Sequence, residues 1–192
     1  MKIKSLLMIT GNAGKAEEFQ ELLQIKALDF SFKSLPLHEI QSLDIEEIGD
    51  YKTREAFKFQ KEIEGFDAVL TDDTALSCSG LNGLPGPLIK WFLQSMDAEG
   101  IFNLVKEKEH AAQVTCLLTL GFPKTKQCKQ FKGVVKGQLV PPRGTLGFGW
   151  DSIFLPENSQ QTYAETCLEE KNQTSHRALA VEQLRHWLLQ TD

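Results

Sequence analysis

The sequence predicts a mixed α/β fold with a long central sheet. Three observations carry this reading: apolar runs of strand length alternate with helical patterns in the first half, two adjacent strand patterns occupy the second half, and the chain closes on a helical pattern. The composition, with 41% hydrophobic and 24% charged residues, is that of an ordinary globular protein, and 192 residues suffice for one domain with a substantial core.

Taken in order, the apolar run from Lys4 to Thr10 reads as a strand that ends at a Gly-containing turn. Phe19, Leu22 and Leu23 then mark a helix from about Ala16 to Leu23. Phe30 to Leu35 reads as a second strand, followed by a polar, acidic stretch from His38 to Asp50 and a helix from about Tyr51 to Glu62. Ala68 to Thr71 reads as a short strand running directly into Asp72, Asp73 and Thr74. GLPGP, Gly83 to Pro87, is a rigid turn because its two prolines fix φ, and a helix is expected from Leu88. Val114 to Phe122 and Gln130 to Leu139 read as neighbouring strands, Pro141 to Gly149 as a loop, and Ser175 to Leu189 as the closing helix.

The net charge of -5 argues against a nucleic-acid-binding surface, since affinity for a phosphate backbone comes from clustered Lys and Arg. The N-terminal apolar run is too short for a membrane span, and a cytoplasmic location is expected. Cys78, Cys116, Cys128 and Cys167 are widely spaced and fit reduced thiols better than a disulfide framework or a zinc site.

Several segments carry chemistry-bearing residues. TGNAGK, Thr10 to Lys15, stands where a strand hands over to a helix, a place suited to an anion; Asn12 capping the helix is the plain alternative. It is not the P-loop pattern. Asp72 and Asp73 are placed at a strand end, where adjacent carboxylates can hold a hydrated Mg²⁺ with Glu39 as a distant partner or form a solvated turn. Strand alternation lets at most one of the two face a metal. Lys90, between Ile89 and Trp91, is expected to be partly buried and to need an anion, and Lys52 lies in an amphipathic helix. GTLGFGWD, Gly144 to Asp151, offers Phe148 and Trp150 for stacking on a base, with core packing as the alternative. EKNQTSHR, Glu170 to Arg177, gathers donors at the entrance to the last helix, with Ser175 as its cap.

Together TGNAGK, TDDT, GLPGPLIKWF, FGWD and SHR, in that order over nearly the whole chain, resemble the inosine triphosphate pyrophosphatase family, and more its eukaryotic branch than its bacterial one. The resemblance implies an elongated α/β homodimer, with residues 1-192 forming one domain of two lobes around a central active-site cleft. It implies hydrolysis of non-canonical purine nucleoside triphosphates (ITP, dITP, XTP) to monophosphate and pyrophosphate with Mg²⁺, for which Mn²⁺ is a possible substitute. Thr10, Asn12 and Lys15 match the triphosphate loop, Glu39 and Asp73 the metal-binding carboxylates, and Lys52 and Lys90 the phosphate lysines. Phe148, Gly149, Trp150 and Asp151 match the base-holding loop, and Lys171, His176 and Arg177 the residues that recognise the purine. Asp73, Asp72 and Lys15 are the expected catalytic residues. Two departures stand out: Asp72 replaces the family's usual Glu, and Ser152 its usual Pro. A Maf-like pyrophosphatase is the competing enzyme, against which the FGWD and SHR pair argues, and a non-catalytic nucleotide sensor is the competing binding protein.

Overall fold

Apolar Ser5–Ile9 forms the first strand, β1, whose last four residues are buried. In the computed structural model, which describes residues 3–190, it is followed by α1 (Ala13–Leu22), β2 (Asp29–Lys33), α2 (Ile45–Ala56), α3 (Gln60–Ile63) and β3 (Ala68–Cys78). The chain continues through β4 (Pro85–Gly86), α4 (Ile89–Val105), β5 (Ala111–Phe122), β6 (Gln127–Leu139), β7 (Phe154–Pro156), α5 (Leu168–Thr174) and α6 (His176–Gln190). Among the described residues the strands form one seven-stranded sheet in the order β2-β1-β3-β5-β6-β7, with β4 also paired to β3. β1 runs parallel to β2 and β3, whereas β3/β4 and β6/β7 are antiparallel, so the sheet is mixed as expected.

The chain divides into two units, one of residues 1–73, 117–132 and 179–192, the other of 74–116 and 133–178. The core of the first gathers Leu7, Ile9, Ala56, Phe57, Ile63 and Val69. That of the second is built from both strand and helix residues, among them Leu76, Ile101, Phe102, Val114, Phe154 and Trp150.

Two expected elements are redrawn. The helix expected over 51–62 begins earlier, at Ile45, because Asp44 caps it by accepting from Glu46 N at 2.8 Å. It stops at Ala56, and three-residue turns, Lys58 N to Glu55 O and Phe59 N to Ala56 O, separate it from α3. The short strand at Ala68 to Thr71 is an eleven-residue strand, so Asp72 and Asp73 lie inside it rather than at its end or in a turn. β1 covers Ala68, Val69 and Leu70, and β4 covers Leu76 and Ser77, leaving the two aspartates between these pairings. The closing helix is found as expected, as α6, and a further helix precedes it: Ser175 ends α5, and its Oγ accepts from Ala178 N at 3.1 Å in the first turn of α6.

α4 starts where expected but is interrupted at Asp97, whose φ of 57° and ψ of -177° are not helical. The GLPGP turn contains a cis Leu84–Pro85 bond. Among the described residues no helix is long and apolar enough to cross a membrane.

Candidate active site

The first unit carries a lysine–carboxylate centre built on β3. Asp72 and Asp73 are buried within the strand, at 3% and 9% exposure, so each carboxylate needs a charged partner. α1 and α2 supply them. Lys15, in the first turn of α1, forms an ion pair with Asp72 Oδ1, and Lys52, midway along α2, donates to Asp73 Oδ1 at 2.9 Å and to the Asp72 carbonyl at 3.2 Å. Lys52 also reaches Glu39 Oε1 at 3.1 Å, so one ammonium gathers the two carboxylates expected to bind metal. The two aspartate side chains engage different lysines, in keeping with strand alternation.

Electrostatics follow from this crowding. Burial works against the Lys52 ammonium, but the Asp73 and Glu39 carboxylates outweigh it and hold its pKa above the ordinary 10.5. Burial pushes the Asp73 carboxyl above its ordinary 3.8, against the opposing pull of Lys52 and Lys15. Three carboxylates face two ammonium groups, a net negative centre that repels a polyphosphate unless a cation joins it. Asp73 Oδ2 is buried without a hydrogen-bond partner among the described residues, and thus keeps an oxygen available as a hard donor. With Glu39 this donor set fits a magnesium-like ion, which needs only one or two carboxylates when phosphate oxygens complete its shell. Among the described residues no group of three or more His, Cys, Asp or Glu is placed to hold a metal by protein ligands alone.

The TGNAGK segment makes its turn with its own side chains. Asn12 Oδ1 accepts from Lys15 N at 3.1 Å, capping α1, and Thr10 Oγ1 accepts from Asn12 N at 3.1 Å. Helix capping, the plain reading of Asn12, is therefore present, and it aims Lys15 at Asp72.

The second unit carries an aromatic and cationic recess. Trp150 is 6% exposed and packs against Phe154 and Tyr163, so of the two loop aromatics it belongs to the core while Phe148 stays half-buried. Gly149, between them, is exposed with φ of 65°. Asp151, at 3% exposure, folds back on its own loop: its Oδ2 accepts from Phe148 N at 2.9 Å and from Lys171 Nζ at 2.6 Å. Lys171 is buried in α5 rather than at the start of the last helix, and its Nζ lies 5.0 Å from the Phe148 ring centre. His176 and Arg177 open α6 and are each 1% exposed, with the His176 ring 5.3 Å from that of Trp150.

Lys90 departs from expectation. It is exposed, its Nζ 5.4 Å from the ring of Trp91, itself 55% exposed. Ile89 and Phe92 face the core while Lys90 and Trp91 do not, because adjacent residues on a helix point in different directions. Sequence reasoning passed over Tyr163, whose ring meets Trp150, Phe154 and His176; the TYAE stretch that holds it has no charge pattern or metal-ligand spacing to attract notice.

Fold and site together define a mixed α/β protein with a carboxylate–lysine centre in one unit and a cluster of aromatic rings with buried Lys171 and Arg177 in the other. The chain belongs to the Ham1 family, whose model matches residues 6–187. It is 39% identical over 193 residues to an inosine triphosphate pyrophosphatase of Schizosaccharomyces pombe, with 97% of this chain and 96% of the relative covered. It is 41% identical over 180 residues to an inosine triphosphate pyrophosphatase of Neurospora crassa, covering 93% and 90% of the two chains. Among solved structures it is similar to a HAM1 protein from Coxiella burnetii, with a TM-score of 0.84, 27% identity, and 99% and 100% of the two chains covered.

Proposed function

We propose that this protein hydrolyses non-canonical purine nucleoside triphosphates, ITP, dITP and XTP, to the monophosphate and pyrophosphate, using Mg²⁺. The observation that carries the reading is the meeting of Lys15, Lys52 and Glu39 on the buried Asp72–Asp73 pair of a Ham1-family chain. In this reading Lys15, Lys52, Glu39 and Asp73 serve the triphosphate, and Phe148 and Arg177 the base. Glu39 and Asp73 hold the divalent ion, which supplies charge neutralisation at the phosphates. Lys15 and Lys52 turn from their carboxylates toward the phosphate oxygens, and Asp73 orients and deprotonates the attacking water. Asp72 holds Lys15 in position. No covalent nucleophile is required, since positioning and electrostatics carry most phosphoryl chemistry.

At the base, Phe148 stacks on the purine, and Arg177, a donor-only side chain, selects a 6-oxo group over the 6-amino group of adenine. A site built around such a bond rejects the mismatched analogue by about 100-fold or more in kcat/KM. The assay is pyrophosphate release from ITP, dITP, XTP, GTP and ATP, with Mg²⁺, with Mn²⁺ and with chelator. Asp73→Asn is expected to lose ~100-fold or more in turnover while the fold is retained. Binding of ITP without release of pyrophosphate from the wild-type protein refutes the enzyme and leaves a nucleotide sensor. A homodimer and a cytoplasmic location accompany the family resemblance; sedimentation of the purified protein and cell fractionation test them.

A further inference from the structure

We propose that the turn Thr162–Glu165 positions the base-recognition loop, with Tyr163 as a positioning residue that holds His176 and Lys171 in register for the purine. The inference rests on the assignment of residues 148–151, 171, 176 and 177 to the base. The loop from Pro141 to Gly149 is exposed apart from the half-buried Phe148, rich in glycine, and without regular secondary structure. Fixing such a segment costs about 1–2 kcal/mol of backbone entropy per residue, so something must hold it.

The turn does so at both ends. Thr162 Oγ1 donates to Arg143 O at 3.0 Å, Arg143 Nε lies 3.5 Å from Glu165 Oε2, Leu146 N donates to Ala164 O at 3.0 Å, and Ala164 N donates to Asp151 O at 3.2 Å. The turn is itself fixed by a capping box, in which Thr162 N donates to Glu165 Oε2 at 2.8 Å. Gly144 makes the approach possible: its φ is 81°, and a Cβ there would stand 2.2 Å from Ala164 O.

The same turn reaches His176 and Lys171 through one ring. Tyr163, 3% exposed, lies 6.3 Å from His176 at an interplanar angle of 25°, 6.3 Å from Trp150 and 5.5 Å from Phe154, with Lys171 Nζ 5.4 Å from its centre. A single side chain thus touches residues of the loop, of α5 and of α6. Small displacements of recognition groups are costly to substrate binding because the productive geometry is narrow. Tyr163 has no place in the phosphate chemistry, so its loss is expected in base binding rather than in the hydrolytic step.

The test compares Tyr163→Leu, Tyr163→Phe and Glu165→Ala with Arg177→Ala and Phe148→Ala, measuring kcat and KM for ITP and ATP and thermal stability for each. Tyr163→Leu is expected to raise KM for ITP about 10-fold with kcat within about 3-fold, and to shrink the ITP-to-ATP ratio of kcat/KM, because binding and not chemistry is impaired. Tyr163→Phe, which keeps the ring, restores KM. Glu165→Ala, at a partly exposed position whose loss the core tolerates, gives a smaller rise of the same kind, and carries the test if Tyr163→Leu fails to fold. Variants that lose stability but keep KM and the ITP-to-ATP ratio make the turn a merely structural element and overturn the proposal. If Arg177→Ala and Phe148→Ala also leave that ratio unchanged, the base-site assignment falls and the proposal with it; if those two collapse it while the turn variants do not, only the role of the turn is overturned.

Discussion

Replacing Lys171 by Met tests how the second unit holds its buried charges. Lys171 and Asp151 are both 4% exposed at their side chains and 2.6 Å apart, so the substitution leaves a carboxylate in a desolvated place with its ammonium gone. Removing one partner of a buried pair costs about 3–5 kcal/mol, much of it the penalty on the abandoned charge. The lost position against the rings of Phe148 and Tyr163 adds ~0.5–2 kcal/mol. For a chain of this length each kcal/mol moves the midpoint by roughly 2–4 °C, so Lys171→Met is expected to melt about 7–28 °C lower. Asp151→Asn added to it removes the stranded charge but keeps an oxygen for Phe148 N. The double variant is therefore expected to regain at least half of the loss, a coupling that a double-mutant cycle in urea measures directly. A loss below about 1 kcal/mol for Lys171→Met, or a double variant whose loss is the sum of the singles, refutes the argument that the pair is held by mutual neutralisation.

Two further substitutions probe the first unit. A Cβ at Gly49 would stand 2.6 Å from Thr119 Oγ1 and 2.9 Å from Leu117 Cδ2, so Gly49→Ala pushes α2 off β5 at a cost of about 1–3 kcal/mol, partly offset by ~1 kcal/mol of helix propensity. Because α2 carries Lys52, kcat/KM should fall by about 10-fold, more than the loss of folded protein explains, and unchanged kinetics would show that Lys52 tolerates the shift. Asp67 accepts from Lys4 N at 2.9 Å and from Ser5 N at 3.2 Å, and these bonds hold its pKa below the ordinary 3.8. Its stabilisation is complete above that ordinary value and is lost as the pH falls through the lower folded value, so Asp67→Asn should melt below wild type at neutral pH and converge with it in acid. A gap between the two that widens as the pH falls would contradict this sign.

What the sequence disclosed, and what it concealed, divides along local and distant contacts. β1, α1 and the β5–β6 pair were legible because their apolar periodicity is contained in the segments themselves. The course of β3 through Asp72 and Asp73 was not, since two adjacent carboxylates inside a buried strand are stable only when lysines about 20 and 57 positions away close on them. The early start of α2 rests on one short-range bond from Asp44, a signal present in the sequence but submerged in an acidic stretch. Lys90 misled because apolar neighbours in sequence are not neighbours on a helix surface. Lys171 and Asp151 were both named for the base, yet their pairing depends on α5, a short helix that the polar stretch before Ser175 did not reveal. Tyr163 acquires its role entirely from rings contributed by other elements.

The placement of Asp72 and Asp73 in the interior of β3 also bears on which motions reach them. Carboxylates borne by a loop share its frequent local openings, whereas a strand flanked by β1 and β5 in the sheet releases its backbone only in large unfolding events. Amide hydrogen exchange at these two positions is therefore expected to be slower than that of residues 143–149. On the proposed assignment, the loop that meets the base thus loosens more often than the strand that carries the phosphate-facing carboxylates.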